Sequence, residues 1–257
     1  MPDIDYRPYR RQFCIGPKPM VVDDSWKTYP LQDGRWLSYS NELPVQFIDG
    51  ERLNKFVLIG DAVESLPDRP APVKTLEKQT DINCLQQVYS SWAGRWVLIA
   101  GDELHLDASG LLGCYYRNDR VKEVASAAGL IANVEVPDRF RLVKSGGAEF
   151  YPPPDSGFKC VHKLMPSQIL NLQTGNITVR NLQVPVPQLS YEETIAYLAG
   201  LLTTTLKNLY TENSSKKLLL ALTGGSDTRT LMAGLNYCEL PYEAITFHSP
   251  NIRPSDV

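Results

Sequence analysis

The last quarter of the chain alternates between helical and buried-strand patterns. Apolar residues recur at helical spacing from 190 to about 210, and Ser190 with Glu193 forms a capping-box pattern at the start. The apolar stripe of this predicted helix consists of Ile195, Leu198, Ala199, Leu202 and Leu206. The apolar run 218–222 predicts a strand buried on both faces, a second amphipathic helix follows, and 242–248 predict a second buried strand. This order of elements is typical of a parallel α/β sheet.

The preceding part of the chain has the pattern of short strands separated by turns. Apolar or alternating segments predict strands at 13–15, 35–39, 55–61, 92–102, 103–107, 112–117 and 121–125, and a hairpin of 168–172 with 177–179. Residues 76–89 form the one longer helical pattern among them. The segment 184–189, Val-Pro-Val-Pro-Gln-Leu, cannot form an interior strand and predicts a linker. We therefore expect one domain at 1–183 and a second at 190–257. Two parallel strands do not make a stable sheet, so we expect the second domain to be truncated.

Composition narrows the class of protein. The 257 residues suffice for one large domain or two modest ones, and a net charge of −3 gives no argument for nucleic-acid or membrane partners. The polar N-terminus lacks the apolar core of a signal peptide, and no apolar run approaches the ~18 residues that span a bilayer, so we expect a cytoplasmic protein. Five scattered cysteines without a CxxC pair argue against a disulfide framework or a zinc site.

The turn after the first predicted parallel strand carries the candidate chemistry. It contains paired glycines and three hydroxyl side chains, in the order Thr223, Gly224, Gly225, Ser226, Asp227 and Thr228. A strand that leads through glycines into a helix N-terminus presents backbone N–H groups and a positive helix dipole to an anion. The hydroxyls add donors, and Asp227 can cap the helix. This arrangement predicts phosphate binding; the alternative is an ordinary capped turn. It is not the Walker sequence, because no Gly-Lys-Ser/Thr follows.

The order of residues in this turn resembles the pyrophosphate loop, Ser-Gly-Gly-x-Asp-Ser, of the N-type ATP pyrophosphatases. Earlier segments resemble runs of the asparagine synthetase superfamily: Gly94-Arg-Trp-Val, Asp107-Ala-Ser-Gly110, Leu112 to Tyr116, Val124-Ala-Ser126 and Leu164-Met-Pro166. The resemblance implies an α+β domain followed by an α/β domain. The first would be a class II glutamine amidotransferase-like (Ntn-hydrolase-like) four-layer αββα sandwich of two antiparallel sheets between helices. The second would be the start of a parallel-sheet PP-loop domain.

The resemblance also implies an activity: a carboxylate attacks the α-phosphorus of ATP, and an amine then displaces AMP to form an amide. ATP and Mg²⁺ would be the cofactors. The pyrophosphate would lie on residues 223–228, Asp227 would help to hold the metal, and His248 and Ser249 would lie near the adenine and ribose. The partners would be a carboxylate substrate and an amine donor, such as a peptide or a small biosynthetic intermediate, and a homodimer remains open.

Departures from the family pattern are equally informative. Glutamine-hydrolysing members use an N-terminal Cys, whereas position 2 is Pro here, and Cys14 would become terminal only after removal of thirteen residues. The signatures that hold glutamine are missing. We therefore expect a degenerate glutaminase domain, similar to those of β-lactam synthetases and lasso-peptide cyclases. Because a later acidic motif and a catalytic Lys are absent, this chain alone is predicted to bind ATP weakly and turn over nothing.

Two alternatives remain open at this point. In the first, the chain is a non-catalytic binding or scaffold module with a vestigial phosphate loop. In the second, it is a glutamine-hydrolysing asparagine synthase that is matured at Cys14.

Overall fold

The computed structural model describes residues 9–51, 55–119, 122–132, 143–145, 148–181, 188–223 and 225–246. The chain divides into two compact units. The first comprises Met1–Ala62, Leu76–Ser90 and Gly94–Leu182; the second comprises Val63–Thr75, Ser91–Ala93 and Gln183–Val257. The second unit thus includes two short segments that the sequence placed in the first domain.

The described residues form a mixed α/β structure. Its strands are β1 (Phe13–Gly16), β2 (Trp26–Pro30), β3 (Trp36–Ser40), β4 (Val45–Asp49), β5 (Lys55–Glu64), β6 (Trp92–Ala100), β7 (Glu103–Leu106), β8 (Tyr115–Arg117), β9 (Val124–Ala125), β10 (Val143–Ser145), β11 (Ala148–Phe150), β12 (Val161–Lys163), β13 (Gln168–Asn171), β14 (Ile177–Val179), β15 (Leu219–Ala221) and β16 (Glu243–Ile245). Its α-helices are α1 (Pro72–Glu77), α2 (Leu85–Val88), α3 (Tyr191–Glu212) and α4 (Ser226–Tyr237). No helix in this described part combines the length and apolarity needed to cross a membrane.

The first unit is built on two large antiparallel sheets. One has the strand order β12-β8-β9-β1-β3-β2 and the other β14-β13-β7-β6-β5-β4. Side chains from both sheets share one buried core, which includes Phe13 and Ile15 from β1 and Val57 and Ile99 from the other sheet. This confirms that the first part of the chain is dominated by two antiparallel sheets. The predicted hairpin also forms, with Leu170 of β13 opposite Ile177 of β14.

The outer face of the first sheet has a second, smaller core. Cys14 lies there with Ala125 and Val161, since alternate residues of β1 point to opposite faces. Among the described residues, the cover is a single 3₁₀ turn, Ala128–Leu130, together with side chains such as Phe158.

The helix predicted over 76–89 is wrong as a continuous element. The structure contains α1, a 3₁₀ turn (Ile82–Cys84), α2 and another 3₁₀ turn (Tyr89–Ser91) instead. The Asp81 carboxylate accepts hydrogen bonds from the backbone N–H and the side-chain amide of Asn83, both at 2.9 Å. Such a local turn competes with helical hydrogen bonding and interrupts the periodic pattern.

The second unit contains α3, α4 and the parallel pair β15–β16. The capping box is confirmed: Ser190 Oγ accepts from Glu193 N, and Glu193 Oε2 accepts from Ser190 N. The parallel pairing of the two strands is also confirmed, with Leu220 opposite Ala244. The hydrophobic centre of this unit consists of Leu206, Leu220 and Leu235.

The prediction of buried strands in this unit is wrong for the described residues. Leu219 of β15 is 53% exposed and Ile245 of β16 is 38% exposed. The apolar stripe of α3 is likewise buried only at Leu206, while Ile195 and Leu198 are exposed. The physical reason is that the two helices pack against one face of a two-stranded sheet, while no described element covers its other face.

Candidate functional site

The turn between β15 and α4 lies in the strand–turn–helix context that the sequence predicted. The strand ends at Ala221, Gly225 is the N-cap residue, and the helix begins at Ser226. Gly224 lies outside the described residues, as do His248 and Ser249, so their predicted roles rest on the sequence alone.

Two threonines close this turn. The Thr228 hydroxyl donates to the backbone oxygen of Thr223 at 3.0 Å and accepts from the Thr223 backbone N–H at 3.3 Å. In addition, the Gly225 N–H donates to the Thr223 hydroxyl at 3.2 Å. The hydroxyls at both ends of the turn therefore shape the backbone, rather than standing only as donors for a ligand.

The start of α4 has backbone donors without a partner among the described residues. Gly225 carries no side chain that could cap the helix, and no side-chain cap is formed. The backbone N–H groups of Ser226 and Asp227 take part in no hydrogen bond between described residues. First-turn amides of a helix have no internal partner, so these two groups are available to an anion.

Asp227 does not occupy the N-cap position; it is the second residue of the helix. Its carboxylate is exposed and its Oδ1 lies 3.4 Å from the Ser226 hydroxyl, which can donate to it. An exposed first-turn carboxylate is compatible with the helix dipole and retains lone pairs for a cation. In the part of the chain that the structure describes, no group of three or more His, Cys, Asp or Glu residues could hold a metal ion.

Arg229 folds back onto the same turn. Its Nε donates to the backbone oxygen of Gly225 at 3.3 Å, and its side chain is otherwise exposed. In the structure it satisfies a carbonyl group of the turn and holds a positive charge beside the helix N-terminus.

Cys14, the alternative nucleophile, lies inside β1. Cys14 is paired with Ser38 of β3 on one side and with Ala125 of β9 on the other, and it is 2% exposed. Burial raises the pKa of its thiol to about 12, and the nearby Glu123 carboxylate adds to the effect. Since the thiolate is the nucleophilic form, a Cys14 side chain in this position is protonated at neutral pH and out of reach of a substrate.

A cluster of polar side chains around buried His105 in the first unit was not singled out from the sequence. The Tyr89 hydroxyl lies 3.0 Å from His105 Nδ1, and Glu103 Oε2 lies 3.4 Å from His105 Nε2. The Arg180 guanidinium lies 5.1 Å from the centre of the Tyr89 ring. The alternation along β7 places Glu103 and His105 on one face, but nothing in the sequence indicated Tyr89 and Arg180 as their neighbours. Burial raises the pKa of Tyr89 to about 12, so this hydroxyl remains protonated.

No family model matches the chain, and no curated protein sequence matches it.

Proposed function

We propose that this chain carries the pyrophosphate-binding turn of an ATP-dependent, amide-forming ligase of the asparagine synthetase type. The observation that supports this proposal is the geometry of the turn. It follows a strand of a parallel pair, is closed by Thr223 and Thr228, and leaves the Ser226 and Asp227 amides without partners among the described residues. Paired antiparallel sheets in the first unit are compatible with the Ntn-hydrolase-like four-layer sandwich of that family.

The proposed reaction develops negative charge on the departing pyrophosphate as the substrate carboxylate attacks the α-phosphorus. Preorganised amides at a helix N-terminus stabilise such charge, because they point at it before the reaction begins. The Ser226 and Asp227 amides would supply this stabilisation, with the positive end of the α4 dipole behind them. An amine would then displace AMP from the acyl-adenylate to form the amide.

A magnesium ion fits the residues present. Mg²⁺ in nucleotide sites is held through one or two carboxylates together with phosphate oxygens and water. Asp227 provides one exposed carboxylate at the edge of the turn. Mg²⁺ held by Asp227 would neutralise part of the negative charge of the phosphates, which the Asp227 carboxylate would otherwise repel.

In this proposal the first unit does not release ammonia from glutamine. The burial of Cys14 and its raised thiol pKa support that conclusion. The amine would come from the substrate or from a separate donor. Mass spectrometry of the native N-terminus tests the competing proposal of a matured glutaminase, because a chain that begins before Cys14 has no N-terminal thiol there.

Isothermal titration of the whole chain with Mg-ATP tests the nucleotide site. We expect weak binding that is lost on Asp227→Asn and on Gly225→Ala. The alanine methyl group would lie 3.3 Å from the Thr223 hydroxyl at an ordinary φ of −71°, so the backbone can accept it while the approach of a phosphate is hindered. Glu192→Gln is the matched control, because Glu192 is an exposed first-turn carboxylate of α3. Absence of binding, or equal loss in the control, contradicts the proposal.

A non-catalytic module with a vestigial turn is the second candidate. The observation that favours it is the bond between the Gly225 N–H and the Thr223 hydroxyl, which occupies one of the donors that a phosphate would need. The same titration separates the two proposals. Binding that depends on Asp227 favours the ligase, whereas no binding favours the module.

A further inference from the structure

The open end of the space between the two large sheets contains a cavity of about 440 Å³. Tyr29 on β2 is the cross-strand partner of Leu37, and Phe47 on β4 is the partner of Val57. Because cross-strand partners face the same side of a sheet and Leu37 and Val57 belong to the shared core, the cavity continues that core outward. Its volume lies within the range of small-molecule pockets, roughly 300–1,000 Å³.

The walls of this cavity are apolar and aromatic. Ile99 and Leu172 are buried residues of its lining. The rings of Tyr29 and Phe47 stack with centroids 3.8 Å apart and an angle of 28° between their planes. Both residues nevertheless keep large exposed fractions, 40% and 39%. A stacked aromatic pair beside an apolar floor offers a ligand both a hydrophobic surface and the negative face of a ring.

The rim of the cavity carries charged side chains that have no ion-pair partner among the described residues. Asp49 and Lys55 are direct cross-strand neighbours on the β4–β5 hairpin, and Asp102 follows β6. None of these three side chains forms an ion pair with another described residue. A fourth lining carboxylate, Asp33, is already bound by Arg35, whose Nε donates to it at 2.6 Å. Among the described residues, the rim thus carries two carboxylates, Asp49 and Asp102, and one ammonium group, Lys55, that are outside any ion pair.

We propose that this cavity binds a small organic cation, an amine with an apolar body. The Asp49 and Asp102 carboxylates would attract the ammonium group, and the Tyr29–Phe47 pair would add a cation–π contribution. The apolar floor would receive the hydrocarbon part of the ligand. Lys55 is exposed on a long flexible stem, so its ammonium group can turn toward water when a cation enters. Binding of a cation in this cavity does not depend on the proposed nucleotide-binding turn.

The experiment is an NMR titration of the whole chain at low salt with three probes of similar shape. These are 2-phenylethylamine as the cation, 2-phenylethanol as the neutral analogue and phenylalanine as the zwitterion. We expect the amine to shift signals of the cavity residues and to bind at least several-fold more tightly than the alcohol. The double variant Asp49→Asn with Asp102→Asn should weaken amine binding by roughly five- to tenfold and leave alcohol binding unchanged, as expected for two partly exposed charge contacts.

Asp24→Asn is the matched control, because Asp24 is an exposed aspartate that is not part of the cavity lining. It should bind the amine like the unaltered chain. Equal affinities for amine and alcohol would show a hydrophobic crevice without charge recognition and would overturn the proposal. Tighter binding of phenylalanine would also overturn it, since Lys55 would then determine the ligand. A lack of any binding has the same consequence.

Discussion

Replacement of Gly94 by alanine should strongly destabilise the first unit. Gly94 lies in β6 with a φ of +105°, and an added Cβ would lie 2.2 Å from the backbone oxygen of Asp61 in β5. The same holds in the other direction: a Cβ added to Gly60 of β5 would lie 2.2 Å from the backbone oxygen of Arg95 in β6. The two strands therefore approach each other at two points where only glycine fits.

The expected cost follows from these two features. A side chain in the left-handed region costs about 1–2 kcal/mol in backbone strain. The 2.2 Å contact is also more than 1 Å too close, and a backbone oxygen cannot rotate away as a side chain can. The strands must separate locally, which weakens neighbouring hydrogen bonds worth about 1 kcal/mol each and the packing of the core. Together these effects amount to roughly 4 kcal/mol, which is a large part of the ~5–15 kcal/mol that stabilises a domain.

Urea denaturation followed by tryptophan fluorescence measures this loss, because Trp26, Trp36 and Trp96 lie in strands of the two sheets. Gly34→Ala is the matched control: Gly34 also has a positive φ, +80°, but nothing lies within 4 Å of its added Cβ. It should lose only the strain, about 1–2 kcal/mol. Equal losses in the two variants would refute the close approach of β5 and β6 as the cause.

Three further predictions concern individual side chains. Burial lowers the pKa of His105 in the folded chain, although Glu103 opposes the shift, so the unfolded chain binds more protons and the folded state should lose stability as the pH drops below about 6.5. Urea titrations at several pH values should show a weaker loss of stability in His105→Asn; the same pH dependence in both chains would contradict this. Under native conditions a thiol reagent should modify exposed Cys84 and spare Cys14, as peptide mapping would reveal; rapid labelling of Cys14 would count against its buried position. Thr228→Val should reduce Mg-ATP affinity several-fold in calorimetry, whereas Thr228→Ser should retain it, because only the hydroxyl closes the turn; equal affinities would argue against that role.

The sequence was most informative where a local rule decides the structure. Period-two alternation located strands such as β7, and the capping-box pair located the start of α3. It was least informative about which surfaces become covered, since exposure of Leu219 depends on how many elements pack on a two-stranded sheet. The cavity between the sheets had no sequence signal at all, because its lining comes from strands and turns far apart in the chain.

The earlier motifs that resemble the asparagine synthetase superfamily have structural explanations within the first unit. Gly94 is required by the contact between β5 and β6. Asp107 is 2% exposed, and its carboxylate accepts hydrogen bonds from the backbone N–H groups of Ser109 and Leu111 at 2.9 and 3.0 Å. Gly110 completes that turn with a φ of +61°. Gly94, Asp107 and Gly110 therefore have structural roles in the strands and turns of the two sheets. Their presence indicates this architecture and does not by itself indicate an activity.

The turn at 223–228 differs from these motifs in kind. Gly225, Ser226 and Asp227 are exposed, and none of them contributes to the hydrophobic centre of the second unit. A turn that served only to connect a strand to a helix would not need two glycines, and a side chain at Gly225 would cap the helix better. The start of this helix has no side-chain cap, and its residues are exposed, so water or an anion can satisfy the Ser226 and Asp227 amides that have no partner among the described residues. The proposal of nucleotide binding therefore depends on this turn, and the first unit adds only the architectural context.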